Sequence, residues 1–320
     1  MRIGIIGTGA MACLFAARLH RFASVVLIGT WQAQIDTINK QGLLVDELDG
    51  RQLTHFITAT QNPAAVAPVD VALVLTKSYQ TIEAVERVNA VLAVDGIVIT
   101  LQNGLGNLEH LAEAFGRNRC TLGITTLGAT IQQPGRVRHA GEGVTHLAIP
   151  PTFPAIAKQF AALLQASMRS INVVANADAL LWSKVALNAG INPLTALYNV
   201  PNGRLATDPV LRRMMVAAAE EVEAVANALN VTPTYQSVSK EIVHIAMATS
   251  TNRSSMLQDV TRGAPTEIDA ICGEVVHFGR KVNIPTHINA LLWQAIIDLE
   301  SGIKRAVIIQ QLQTRLNSLQ

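Results

Sequence analysis

The residues that most constrain the fold stand at the start of the sequence, in the stretch IGIIGTGAMACLFAARL. Gly7, Gly9 and Ala12 form the pattern Gly-x-Gly-x-x-Ala between an isoleucine-rich run and a helix-forming run. In this context the first glycine allows a tight turn, the second lets the backbone approach a pyrophosphate, and the alanine permits close packing of helix on sheet. The N–H groups at the start of the helix favour phosphate oxygens. We therefore predict a dinucleotide-binding loop, with a glycine turn that binds no ligand as the alternative. The residues of this loop are Gly7, Thr8, Gly9, Ala10 and Met11.

Short apolar runs alternate with helix-forming segments through the first half of the chain. The runs at 2–7, 24–29, 69–76 and 96–103 are nearly all apolar, as in strands that are buried on both faces of a parallel sheet. Three further runs, at 119–125, 129–131 and 144–149, are expected to extend the same sheet. This alternation predicts a Rossmann-like, doubly wound α/β domain.

The pattern becomes helical after a last strand at 171–176. We predict helices at 177–189, 208–229, 237–248, 266–281 and 289–299. A chain of 320 residues is longer than one core usually serves, so two domains are expected. We place a dinucleotide-binding Rossmann-like domain at 1–174 and an all-α substrate and catalytic domain at 175–320.

Composition narrows the class of protein and its partners. Hydrophobic residues make up 49% of the chain and charged residues 15%, which is enough apolar material for sizeable cores. The net charge of +2 gives no reason to expect a nucleic-acid or membrane partner. The three cysteines are widely spaced and form no Cys-x-x-Cys pair, so we expect neither a disulfide framework nor a metal site. Because we find no secretory signal and no membrane-length apolar run, we expect a cytoplasmic protein. The helical half could form a homodimer.

Polar residues follow several predicted strands, at the edge where open α/β sheets bind ligands. Thr30 follows the second strand, where NAD-binding domains usually carry Asp or Glu and where Arg would hold a 2′-phosphate. Neither stands there, and we favour NADP (NADPH) over NAD, with the Thr30 hydroxyl as a contact. Lys77 and Asn103 follow two later strands and are predicted to contact cofactor or substrate. A solvated lysine and a simple Asn-Gly turn are the alternatives.

The apolar stretch WSKVALNAGINPLTALYN carries polar residues at intervals of four. Lys184, Asn188 and Asn192 therefore lie along one face of a predicted helix. A surface lysine and locally bonded asparagines are the simpler interpretation. A lysine in a cavity, however, has a lowered pKa and can act as a general acid. Pro193 lacks an N–H and restricts the residue before it, so we expect the helix to bend or end there, with Asn192 facing a cleft between the domains.

Two downstream residues complete the candidate site. Ser255, in the segment SSMLQDV, offers a hydroxyl to a substrate carboxylate. Glu267, in TEIDAICGEVV, stands at the start of a predicted helix, where the helix dipole favours a carboxylate. Taken alone, it is equally an ordinary first-turn glutamate with Thr266 as the cap.

These segments together resemble the ketopantoate reductase (2-dehydropantoate 2-reductase) family over nearly the whole chain. GTGAMA, LTKSYQT and LQNGLGN match in the first half, and WSKVALNAGINPLTALYNVPNG, SSMLQDV and TEIDAICGEVV are the more specific matches. The resemblance implies NADPH-dependent reduction of 2-dehydropantoate, a small 2-oxo acid, to pantoate in pantothenate and coenzyme A biosynthesis.

The resemblance also implies roles for individual residues. Lys184 matches the catalytic general acid of the family, and Glu267 matches the acid that supports the active site and the cofactor. The implied substrate contacts are Asn103, Asn188, Asn192, Asn202 and Ser255. Lys77 and Asn103 match the lysine and asparagine on the cofactor side. Two positions depart from the family pattern: Thr30-Trp31 replaces an arginine that NADPH-using members often carry, and Ala12 replaces the third glycine.

Three other functions stay open at this point. A related reductase could act on another branched 2-oxo acid, since pocket detail decides the substrate. A dinucleotide-binding sensor without catalysis would keep the glycine loop, although it has no need of Lys184 and Glu267. A β-hydroxyacid dehydrogenase also places Lys and Asn four apart after a Rossmann domain, but the SSMLQD and TEID segments favour ketopantoate reductase.

Overall fold

The computed structural model describes residues 1–66, 68–150, 152–168 and 170–317. The chain divides into two compact units, each described here by itself. The α/β unit consists of residues 1–102 and 106–177, and the helical unit consists of residues 103–105 and 178–320. The short segment 103–105 therefore groups with helices that lie far from it in the sequence.

The α/β unit contains strands and helices in alternation. Its strands are β1 (Arg2–Ile6), β2 (Ser24–Ile28), β3 (Leu43–Asp46), β4 (Gln52–His55), β5 (Thr58–Thr60), β6 (Val69–Val74), β7 (Leu92–Thr100), β8 (Cys120–Thr125), β9 (Gly128–Gln133), β10 (Arg136–Gly141), β11 (Thr145–Ala148) and β12 (Ile171–Val174). Its helices are α1 (Ala10–Leu19), α2 (Gln32–Gln41), α3 (Thr81–Val91), α4 (Asn107–Phe115) and α5 (Pro154–Ser167).

Eight strands form the main sheet in the order β12-β11-β8-β7-β6-β1-β2-β5. From β5 to β8 all neighbouring strands are parallel, and β11 joins β8 in the antiparallel sense. The central strands bury their side chains on both faces, with Ile3, Ile5 and Leu73 fully enclosed. This arrangement explains the nearly unbroken apolar runs in the sequence, and it confirms the predicted doubly wound α/β fold.

A second, four-stranded sheet has the order β4-β3-β10-β9. The expectation that 129–131 extends the main sheet is wrong, because this segment lies in β9 and pairs with β10. The strand next to β8 at this side of the main sheet is β11, and β9 forms an edge of the second sheet instead. The sequence did not predict β3, β4 or β10, whose short runs mix polar and apolar residues as strands with one solvated face do.

The helical unit contains only helices among its described residues. They are α6 (Asp178–Tyr198), α7 (Asn202–Thr207), α8 (Pro209–Ala228), α9 (Val238–Ala248), α10 (Ser255–Thr261), α11 (Glu274–Lys281), α12 (His287–Glu300) and α13 (Arg305–Asn317). One turn of π-helix, Asp269–Gly273, leads into α11. The all-α second half is confirmed, although α7, α10 and α13 had no predicted counterpart.

Helix α6 runs through Pro193 and ends only at Tyr198. Of the bend or end that the sequence predicts at Asn192, the end is therefore wrong, and the bend stays a prediction. A proline costs an interior helix one hydrogen bond, here the one to the carbonyl of Ala189. Most of the helix around it is buried, which lets packing outweigh this loss. The helix ends where Asn199 adopts a left-handed conformation with φ of 53°.

None of the helices in the described ranges has the length and apolar character that crossing a bilayer requires.

Candidate active site

The predicted dinucleotide loop lies between β1 and α1. Gly7 has φ of +126°, and a Cβ on it would lie 3.0 Å from the carbonyl oxygen of Leu75, so only glycine fits there without strain. Gly9 is exposed, and a Cβ on it would meet no atom within 4 Å. The loop therefore has open space at its second glycine, beside the first turn of α1 where Ala10 and Met11 lie. This open position at a helix start fits a pyrophosphate group.

The residues after β2 carry no ionised side chain. Thr30 is exposed, and its carbonyl accepts a hydrogen bond of 2.8 Å from Nε2 of Gln61. Trp31, the next residue, is 40% exposed and precedes the first turn of α2. The position that usually distinguishes NAD from NADP thus offers a hydroxyl and an indole ring.

Gln102 fixes the ends of β6 and β7, a role that the sequence did not reveal. Its amide nitrogen donates to Oγ1 of Thr81 at 2.9 Å, to Oγ1 of Thr76 at 3.1 Å and to the carbonyl of Lys77 at 3.3 Å. Its amide oxygen accepts from Oγ1 of Thr100 at 2.9 Å. The only sequence signal was its position beside Asn103 at a strand exit. The network holds the backbone from which the half-buried Lys77 projects.

Three predicted site residues, remote in sequence, come together in the helical unit. Nζ of Lys184, on α6, donates to Oδ1 of Asn103 at 2.8 Å. Nδ2 of the same asparagine donates to Oε2 of Glu267 at 3.1 Å. Because an ammonium only donates and a carboxylate only accepts, these two partners fix the orientation of the Asn103 amide. The result is a hydrogen-bonded array of cation, amide and anion.

The backbone beside Asn103 is held by a close approach to the π-helical turn. Gly104 has φ of +83°, and a Cβ on it would lie 2.5 Å from the carbonyl oxygen of Ala270. The next N–H, of Leu105, donates to that same carbonyl at 2.8 Å. Only glycine satisfies both the conformation and the contact, so the Asn-Gly pair is required to place the Asn103 side chain.

Glu267 is buried, with 5% of its surface exposed, just before the π-helical turn. Oγ1 of Thr266 accepts a hydrogen bond from the N–H of Ile268 at 3.3 Å, but the cap position of the π-helical turn is Ile268, which makes no side-chain cap bond. Thr266 therefore stabilises the local turn that leads to Glu267 and does not cap this helical turn.

The side chain of Lys184 is partly buried. Burial lowers the pKa of its ammonium to about 8, and the neighbouring carboxylate of Glu267 opposes part of this shift. At neutral pH the side chain is mostly protonated, yet it releases a proton far more readily than a lysine in water. This is the property expected of a general acid near pH 7.

Asn188 and Asn192 continue along the face of α6 that carries Lys184. Asn188 is half-buried, and Asn192 is 6% exposed. The carbonyl of Asn192 accepts from Oγ1 of Thr195 at 2.9 Å, and this hydroxyl lies 2.6 Å from Oγ of Ser254. The threonine and Ser254 tie α6 to the start of α10, a connection that an isolated threonine in an apolar helix did not signal.

Ser255 and Asn202 differ in their surroundings. Ser254 caps α10 by accepting from the N–H of Leu257 at 3.1 Å, whereas Ser255 is exposed at the first helical position. Nδ2 of Asn202 donates to Oγ1 of Thr249 at 2.9 Å. Its Oδ1 is buried and has no hydrogen-bond partner among the described residues. Oδ1 of Asn202 can therefore accept a hydrogen bond from a ligand.

Comparison with known proteins identifies the family of the chain. The family model described as ketopantoate reductase PanE/ApbA matches residues 3–151, and the model of the C-terminal part of that family matches residues 158–300. The chain belongs to the ketopantoate reductase family. The resemblance stated from the sequence is thereby confirmed.

Relatives in this family align with nearly the whole chain. A 2-dehydropantoate 2-reductase of Archaeoglobus fulgidus is 31% identical over 304 residues, which cover 94% of this chain and 99% of the relative. One of Halobacterium salinarum is 34% identical, covering 89% of this chain and 94% of the relative. Among solved structures, a ketopantoate reductase of Ralstonia eutropha superposes with a TM-score of 0.87 at 28% identity, over 94% of this chain and 99% of that one.

Proposed function

We propose that this chain is an NAD(P)-dependent oxidoreductase that reduces 2-dehydropantoate to pantoate. The observation that carries the proposal is the Lys184–Asn103–Glu267 array, which lies in a chain that matches the ketopantoate reductase family along most of its length. This reaction belongs to the route that leads to pantothenate and coenzyme A.

Lys184 is the proton donor in this proposal. NADPH, when bound, would supply a hydride to the keto carbon of the substrate. Negative charge then develops on the carbonyl oxygen, and an ammonium beside it stabilises that charge and donates the proton. With a pKa of about 8, the Lys184 ammonium is populated at neutral pH and still acidic enough to give up its proton.

Asn103 and Glu267 keep this proton donor in place. The amide oxygen of Asn103 accepts one of the three ammonium hydrogens of Lys184 and so fixes the position of Nζ. The Glu267 carboxylate favours the charged form of Lys184 and, through Nδ2 of Asn103, fixes which way the amide faces. Both act on the acid that meets the substrate.

The remaining predicted contacts provide complementary polar groups for the substrate. The exposed hydroxyl of Ser255 can donate to the substrate carboxylate. Oδ1 of Asn202 can accept from the substrate hydroxyl. Asn188 and Asn192, one and two turns after Lys184, offer amides that both donate and accept.

We infer a preference for NADPH over NADH. A carboxylate after β2 would bind the ribose 2′-hydroxyl of NADH and repel a 2′-phosphate, and Thr30 and Trp31 stand there instead. Steady-state kinetics with each dinucleotide and 2-dehydropantoate test this directly. A higher kcat/KM with NADH would contradict the preference while leaving the reaction class intact.

The decisive experiment follows dinucleotide oxidation with 2-dehydropantoate for the wild type and two lysine variants. Lys184→Ala should lower kcat by about 10²–10⁴-fold, because general-acid catalysis contributes that much. Lys240→Ala is the matched control, since it removes an exposed lysine of α9 and should leave kcat unchanged. Equal turnover of Lys184→Ala and wild type would refute the lysine role. A substrate panel that gave a much higher kcat/KM for another branched 2-oxo acid would refute the substrate.

A further inference from the structure

Gln34 is a fully buried polar residue on α2, four positions after Thr30, and it is not among the predicted site residues. Its Oε1 accepts the backbone N–H of Gly135 at 2.7 Å, in the turn between β9 and β10. A backbone N–H can only donate, so the assignment of the amide is fixed and Nε2 faces the other way. That nitrogen donates to the carbonyl of Thr8 at 3.2 Å and to Sγ of Cys13 at 3.2 Å.

The carbonyl of Thr8 is therefore held from inside the fold by two donors. The second is the thiol of Cys13, whose Sγ lies 3.5 Å from the same oxygen. Burial raises the pKa of this thiol to about 12, so it keeps its hydrogen. Gln34 and Cys13 together fix the direction of one carbonyl in the glycine loop.

Fixing this carbonyl also fixes the N–H on the other side of the same peptide bond. A trans peptide is planar, and its C=O and N–H point in opposite directions. Because the Thr8 carbonyl points into the interior, the N–H of Gly9 must point away from it. Gly9 is exposed, and the space where its Cβ would stand is open.

We propose that Gln34 is a positioning residue that holds the Thr8–Gly9 peptide so that the Gly9 N–H is oriented to donate to the pyrophosphate of the dinucleotide. The inference rests on the dinucleotide binding of the proposed function and adds a residue outside the glycine loop to it. The loop then binds the dinucleotide without reorienting this peptide group, which lowers the free-energy cost of binding.

Replacing Gln34 by glutamate separates this role from a purely structural one. Gln34→Glu keeps the shape and the acceptor for Gly135, but it replaces the donor to Thr8 with an oxygen. At about pH 8 the affinity for NADP⁺ should fall by roughly tenfold, the effect of losing one hydrogen bond. At about pH 6 the buried carboxyl group, whose pKa is raised by burial, should regain a proton and donate again, so the affinity should recover.

Isothermal titration calorimetry with NADP⁺ at both pH values measures this recovery. Gln41→Glu is the control, because it adds the same charge on an exposed position at the end of α2 remote from Thr30 and Trp31, and it should bind like the wild type at each pH. Gln34→Met removes all three hydrogen bonds of the Gln34 amide and should weaken binding equally at the two pH values. It serves as the second variant if Gln34→Glu does not fold.

The outcomes distinguish the two proposals. If the wild type binds NADP⁺ and Gln34→Glu and Gln34→Met bind as tightly at about pH 8, the positioning role of Gln34 is wrong and the proposed function stands. A loss of affinity in Gln34→Glu that does not recover in acid would also overturn it, since a structural defect has no reason to follow that protonation. If the wild type binds no nicotinamide dinucleotide, the proposed function itself fails.

Discussion

The acidity of Lys184 is set by two opposed influences, burial and the charge of Glu267. Glu267→Gln removes the charge with little change of shape, so the pKa of Lys184 should fall further below its present value. Because the reduction needs the protonated lysine, the alkaline limb of the kcat/KM–pH profile should move to lower pH. A profile unchanged from that of the wild type would show that Glu267 does not set the acidity of the proton donor.

A change at Asn103 should move the same limb in the same direction. Asn103→Ala removes the amide oxygen that accepts from Nζ of Lys184 at 2.8 Å, and losing a hydrogen bond to the ammonium disfavours its charged form. The alkaline limb should therefore move to lower pH, measured in the same kcat/KM series. A shift of this variant to higher pH would contradict the role of Asn103 in holding the charged lysine.

The sequence predicted the members of this array but not how they are joined. The spacing of four placed Lys184 and Asn188 on one helix face, because helical periodicity is local. The bond between Asn103 and Glu267 joins residues 164 positions apart, and no local pattern encodes such a contact. Resemblance to a family supplied these roles, whereas Gln34 and Gln102 carried no motif and became visible only through their hydrogen bonds.

At the scale of single elements, the start of α8 offers a test of helix capping. Asp208 accepts hydrogen bonds from the N–H groups of Val210 at 3.0 Å and Leu211 at 3.2 Å, ahead of Pro209. Asp208→Ala should lower the free energy of unfolding by about 1 kcal/mol in urea titrations. Arg204→Ala, which removes only the exposed ion pair to this carboxylate, should cost less than about 0.5 kcal/mol. A larger loss for Arg204→Ala would assign the effect to the ion pair instead.

Gly190 makes possible the close contact of α6 with α8. A Cβ on it would lie 2.5 Å from the carbonyl oxygen of Met215 and 2.4 Å from Cδ1 of Ile242. Alanine normally stabilises a helix interior by about 1 kcal/mol over glycine. Gly190→Ala should nevertheless lower the melting temperature, because overpacking costs about 1–3 kcal/mol. A raised melting temperature would mean that α6 and α8 can move apart without a loss of stability.

Long, regular helices and strands were predicted well. Elements whose bounds or pairing depend on tertiary contacts were predicted poorly. The apolar central strands and α8 show their periodicity over many residues, and they lie close to where the sequence placed them. Helix α6 continues beyond Pro193 because the residues around it are buried. Helix propensity alone does not take this burial into account. The second sheet pairs β3 with β10, segments about 90 residues apart, and local patterns do not reveal such partners.

At the scale of the whole molecule, each unit has its own hydrophobic core. One core is built from residues of the α/β unit, such as Phe15 and Phe160, and the other from residues of the helical unit, such as Leu194 and Met215. Differential scanning calorimetry should show unfolding broader than a single two-state transition. NADP⁺ should raise the transition temperature of the α/β unit. At a concentration of a hundred times its Kd, it adds about 2.7 kcal/mol to the free energy of unfolding. A single transition with matching calorimetric and van't Hoff enthalpies would contradict this expectation.

The grouping of residues 103–105 with the helical unit has a consequence for any attempt to exchange parts between related enzymes. A chimera cut near residue 175 would transplant Lys184 and Glu267 without their partner Asn103. Gly104, which touches the backbone of Ala270, would be lost with it. The donor half would have to supply an Asn-Gly pair that fits the new π-helical turn. A first half that lacks this pair would leave the proton donor without its hydrogen-bond acceptor, and a graft of residues 103–105 would be the smallest repair.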